Sequence, residues 1–180
     1  MSETEQICDV MIAYIRSLEV PHPLFSGLPI CPFVKAARLQ NKLEFWVYPF
    51  PVGHEIDVGI SQKIEEFLTV DHQKDVLLVI HPDPSAIDFV TFTQFIKMLN
   101  QQLGTSGLIA FGGHPDDPFE VNGVRTRHNP FINFTVQQIQ ELLDARQSLI
   151  HINYYSTWNT EALDAVGVKI DVFSADSESV

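Results

Sequence analysis

The residues of this chain best suited to chemistry fall in three short segments. They are Cys31-Pro32-Phe33, the tripeptide His-Pro-Asp that occurs at both His81 and His114, and the loop-like run from Asn122 to Asn129. An imidazole changes its charge near neutral pH and ligates metals, so His81 and His114 suit acid–base or metal chemistry. Carboxylates stand next to both, at Asp83 and at Asp116 and Asp117. Two histidines and one carboxylate make a facial iron site with open positions. The plainer reading is that proline cannot continue a central ladder, so each tripeptide simply ends a strand.

Cys31 stands just before a proline suited to the first turn of a helix. A thiol there lies near free backbone N–H groups and the positive end of the helix dipole. Those groups favour thiolate, and hence nucleophilic attack or metal ligation. A small buried cysteine with no reactivity is the alternative. Arg125 and Arg127 lie in a Gly/Asn-containing stretch. They could clamp a carboxylate or phosphate through paired N–H bonds, or pair instead with Asp116, Asp117 or Glu120.

These segments need elements to position them. Ser2-x-x-Glu5 is a capping-box pattern, and Ile7, Val10, Met11, Tyr14, Ile15 and Leu18 then share one helical face. A short helix over 33–39 follows the Pro/Gly-rich stretch, with Pro32 in its first turn. Leu43 to Tyr48 reads as a strand stopped by Pro49 and Pro51. Ile56, Ile60, Ile64, Phe67 and Leu68 mark an amphipathic helix, and Val76 to Ile80 a strand buried on both faces. Ser85-x-x-Asp88 resembles a helix start, with Phe92, Phe95, Ile96, Leu99 and Leu103 as the buried stripe.

Leu108 to Phe111 is the next strand, and Phe131 to Phe134 a candidate fourth. Thr135-x-x-Gln138 reads as the cap of a helix running to about 147, and a last helix reaches Gly167. The long connection from Gly112 to Pro130 is the kind of loop that usually carries function. This order predicts one α/β domain over 1–173, with a mixed, mainly parallel sheet of about four strands packed by helices, and an acidic tail over 174–180. Parallel strands would bring His81, Asp83, His114, Asp116 and Asp117 to one sheet edge, where open α/β sheets place their ligands.

Bulk properties narrow the function. The 180 residues carry a formal net charge of −12, which excludes nucleic acid and disfavours an anionic membrane as partners. No apolar run spans a bilayer, and the first twenty residues lack the core of a secretory signal. A cytoplasmic protein with reduced Cys8 and Cys31 is the expectation. Walker A, Rossmann, Gly-x-Ser-x-Gly, Cys-x-x-Cys and His-Glu-x-x-His patterns are absent.

Leu28-Pro29-Ile30-Cys31-Pro32-Phe33-Val34-Lys35-Ala36, Leu77 to Pro82, Asp88-Phe89-x-x-Phe92, Phe111 to Asp116 and Asn129-Pro130-Phe131 occur in that order. Together they resemble a bacterial family of unknown function with a Leu-Cys-Pro-Phe-Ala start and strands ending in Val-His-Pro and Phe-His-Pro-Asp. The resemblance covers about residues 28–167. It departs where the family is aromatic-rich, since this chain has Asp116-Asp117-Pro118-Phe119 there.

More distantly, His22-Pro23-Leu24-Phe25, Cys31-Pro32-Phe33, Asn122-Gly123 and the later arginines are similar to the YqcI/YcgG family. Its characterised members are heme-dependent oxygenases that hydroxylate nitrogen in guanidino compounds. That resemblance implies a heme held by Cys31 or a histidine such as His114, with Phe33, His81, Arg125 and Arg127 around the cofactor. It puts His114 and Asp116 at the reaction and Arg125 or Arg127 on a propionate or substrate carboxylate. The resulting expectation is a small heme-dependent oxygenase acting on a nitrogenous small molecule, a cationic one in keeping with the acidic surplus. A non-heme iron site using His81 and His114 with a carboxylate is one alternative, and a non-catalytic module binding a small molecule or partner another. Oligomeric state is left open.

Overall fold

The computed structural model describes residues 1–69 and 74–168, so the acidic tail lies outside the described residues. Helix α1 (Glu3–Ser17) opens with the expected box: the Ser2 hydroxyl accepts from the Glu5 N–H, and the Glu5 carboxylate accepts from the Ser2 N–H. Its stripe of Ile7, Met11 and Ile15 is buried against Leu78 and Ile80. Helix α2 (Pro32–Leu39) follows, with Cys31 in the N-cap position, and then strand β1 (Leu43–Val47). Helix α3 (Val58–Thr69), strand β2 (Val76–Ile80), helix α4 (Phe89–Leu103) and strand β3 (Leu108–Gly113) continue the alternation.

A two-stranded hairpin of β4 (Glu120–Val121) and β5 (Val124–Arg125) precedes strand β6 (Asn133–Gln138). Asn122 and Gly123 both have positive φ, 51° and 78°, which suits the turn of a two-residue hairpin loop. Helices α5 (Ile139–His151) and α6 (Thr160–Ala165) close the described chain.

The main sheet runs β1-β2-β6-β3. The α/β class and the four strands agree with the pattern read from sequence, but the sheet is not mainly parallel. Only β1 and β2 pair in parallel; β6 is antiparallel to both β2 and β3. The reason lies in the connections. Helices α3 and α4 carry the chain back across the sheet, so β1, β2 and β3 point the same way. No helix lies between β3 and β6, and that chain returns in the opposite sense, inserted between β2 and β3.

Two element boundaries also differ from expectation. Thr135 to Gln138 belong to β6, and Gln138 stands at the N-cap position of α5 without a side-chain capping bond; Phe134 and Val136 are fully buried in strand alternation. Helix α4 starts at Phe89 and is capped by Asp88, whose carboxylate accepts from the Thr91 N–H at 3.0 Å. Ser85 instead donates through its N–H and hydroxyl to Asp83, both at 2.8 Å.

The sheet is covered on both faces. Leu77, Val79, Ala110, Phe134 and Val136 face a core with Phe92, Phe95 and Leu99 of α4 and Ile60 and Ile64 of α3. Leu78 and Ile80 face α1. That is why β2 reads as an unbroken apolar run. A separate cluster of Phe25, Val121, Leu149, Tyr154, Tyr155 and Ala162 joins the hairpin to α5 and α6.

Candidate functional site

Because β2 and β3 point the same way, His81 and His114 do leave the sheet at one edge. They are not neighbours, however. Strand β6 lies between them, with Asn133 paired to both Ile80 and Gly113. Two strand spacings separate the backbones by roughly 10 Å. Their rings face the α4 side of the sheet. His81 meets the edge of Phe50, and His114 packs on Phe89 and Phe92.

The two imidazoles are bonded differently. His114 is 2% exposed, and both of its ring nitrogens are used. Nε2 donates to the Ile87 carbonyl at 2.9 Å, and Nδ1 accepts from the Asp116 N–H at 3.0 Å. The Asp116 carboxylate is 83% exposed and stands 4.0 Å from Nδ1, too far for a hydrogen bond. His114 is thus a buried strut that ties the end of β3 to the entry of α4.

His81 is 8% exposed and is held by one nitrogen only. Nδ1 lies 2.9 Å from the Asp83 carbonyl and 3.1 Å from the Asp83 N–H, so the tautomer decides which bond it makes. Nε2 has no hydrogen-bond partner among the described residues. His81 lines a half-open cleft of about 320 Å³ with Pro49, Phe50, Pro51, Val52, Ala86, Ile87, Asp88 and Thr91.

The wall from Pro49 to Val52 and the rim at Asp88 and Thr91 are site residues that sequence reading missed. A signal existed: β1 is a third strand that ends in prolines. Its parallel pairing with β2 sets the Pro49–Val52 segment beside His81.

Cys31 lies elsewhere. It is half-buried at the start of α2, and its side chain makes no capping bond. Burial pushes its thiol pKa up, outweighing the Val34 and Phe33 backbone groups and the Arg127 charge, which act to lower it. The expected thiolate bias is therefore reversed, since desolvation disfavours the charged form. Phe33 next to it packs in the cluster with Phe25 and Tyr154, away from His81.

The arginines are occupied within their own loop. Arg127 donates to the Asp117 carboxylate at 3.2 Å, and its guanidinium lies 3.8 Å over the Phe119 ring. Arg125 donates to the Pro115 carbonyl. The acidic-partner alternative thus describes Arg127, and among the described residues no Lys or Arg lines the His81 cleft.

Sequence reading named Asn129 only within the Asn122–Asn129 run and missed Asn133, its buried partner at the same edge. Asn133 Nδ2 donates to Asn129 Oδ1 at 3.1 Å and to the Phe131 carbonyl at 2.8 Å. They crowd Gly113 so closely that a Cβ there would sit 2.5 Å from Asn129 Oδ1, which explains why the position is glycine.

Among the described residues, no group of three or more His, Cys, Asp and Glu side chains is placed to hold a metal ion. The triad of His81, His114 and a carboxylate is therefore not assembled. No described helix is long and apolar enough to cross a membrane. No family model, curated protein or solved structure matches the chain.

Proposed function

We propose that this protein binds a small molecule in the cleft between Pro49–Val52 and the start of α4, and that His81 is the group acting on it. One observation carries this reading. His81 lines the cleft and keeps a ring nitrogen without a hydrogen-bond partner among the described residues, whereas both nitrogens of His114 are bonded. Apolar walls with a few polar groups that fix orientation are the usual make-up of such sites, and the volume is at the small end of their range.

The resemblance to heme-dependent oxygenases is carried in a narrowed form. His81 is the residue that would hold the iron, because its Nδ1–H can donate to the Asp83 carbonyl and leave the Nε2 lone pair free. A second bond of this kind orients most metal-bound histidines. A heme so held would supply oxidation of a nitrogenous small molecule by dioxygen.

Hemin titration followed by absorption spectroscopy tests this reading, using wild type, His81→Ala and Cys31→Ala. A Soret band in wild type and Cys31→Ala that is lost in His81→Ala is the expected result. A band lost only in Cys31→Ala overturns the assignment of His81. A colourless wild type removes heme and leaves the imidazole as an acid–base or hydrogen-bonding group.

A further inference from the structure

A second cleft, of about 360 Å³, lies alongside the first. Its lining is Val52, Gly53, His54, Thr91, Gln94, Phe95 and Met98. Val52 and Thr91 line both spaces, so the two meet edge to edge. The helix side of this groove is one stripe of α4: Asp88, Thr91, Gln94, Phe95 and Met98 recur every three or four residues. From Asp88 to Met98 that stripe spans about 15 Å at the rise of an α-helix.

The two ends differ in chemistry. At the first end stand the His81 ring, with its free Nε2, and the Asp88 carboxylate. Two hydrogen bonds from Thr91 hold the Asp88 carboxyl below its ordinary range. At the second end, the half-buried Met98 and Val52 present thioether and alkyl surface over the buried Phe95, with the exposed, uncharged Gln94 amide and the His54 ring at the margin. Among the described residues, no Asp, Glu, Lys or Arg lines that second end. An apolar group placed there leaves no charge without a partner, whereas an ionic group would find none.

We infer that the ligand is an elongated amphiphile, with a polar nitrogenous head at His81 and Asp88 and an uncharged apolar tail lying along α4 to Met98. This inference rests on the reading of His81 as the group that touches the small molecule directly, and not on its holding an iron. The α4 stripe sets tail length and Met98 closes the far end.

The test uses n-propylamine, n-hexylamine and n-nonylamine as probes, with dissociation constants read from the His81 ring signals by NMR. Affinity should rise about twofold to fourfold for each methylene laid on the groove. In Met98→Glu the dependence on chain length should disappear, while Gln94→Leu, an exposed position that disturbs no packing, should steepen it. If the short amine perturbs His81 and the longer ones bind no tighter, the tail subsite is overturned and the His81 reading stands. If none of the amines perturbs His81, the reading beneath it falls as well.

Discussion

A histidine's role here is decided by what its second nitrogen touches. His81 and His114 end their strands in the same tripeptide, yet one imidazole has both nitrogens bonded and the other has one. The same logic governs Cys31, where a helix start favours thiolate and burial opposes it. With the thiol pKa raised, little thiolate exists at neutral pH. Alkylation of Cys31 by iodoacetamide, measured in Cys8→Ser, should be slower at about pH 7 than for a free small thiol of ordinary pKa near 8.5. Its rate should climb at a higher pH than that thiol's does. Rapid alkylation at neutral pH would show that the dipole and Arg127 outweigh desolvation.

At the scale of elements, the site depends on what each sheet edge meets. β3 is an edge strand, and α4 covers part of it: Asn100 Oδ1 accepts from the Ala110 N–H at 2.8 Å, while Asn100 Nδ2 donates to the Ala110 carbonyl at 2.9 Å. An uncovered edge is a template for pairing with another chain. Asn100→Ala should therefore cost about 1–3 kcal/mol in urea unfolding, the usual effect of leaving such groups without partners. It should also increase self-association, read by light scattering. A monodisperse variant of unchanged stability would show that water serves the edge equally well. The same contact holds α4, and thus the whole lining stripe, against the sheet.

Across the molecule, charge sets the response to pH. Glu19, bonded by Arg38 at 2.5 and 2.8 Å, has its carboxyl pKa lowered, and hydrogen bonds lower those of Asp83 and Asp88. A group with a depressed pKa in the folded state adds stability above its unfolded pKa, and loses it as pH falls through the folded value. The melting temperature should therefore fall as pH drops below about 4, the ordinary carboxylate range. Glu19→Gln should make that decline shallower. The net charge of −12 opposes this trend, because protonation relieves self-repulsion. A melting temperature that rises into acid would mean that repulsion dominates.

Sequence periodicity was enough to place helices α1 to α4, the β2 run and the capping box of α1, because those patterns follow from local backbone geometry and from which face is buried, but it opened the next helix on residues that belong to β6. The His-Pro-Asp repeats and the prolines after β1 marked the sheet edge that carries the cleft. Sequence could not show that β6 inserts between β2 and β3, since strand neighbours are set by long-range pairing and the intervening stretch holds no helix. That insertion separates the two histidines and leaves the iron triad unassembled. Nor does any local signal distinguish His81 from His114, or Cys31 as a thiol from Cys31 as a thiolate. Bonding to distant backbone and burial against distant side chains decide both, and only the tertiary structure brings those groups together.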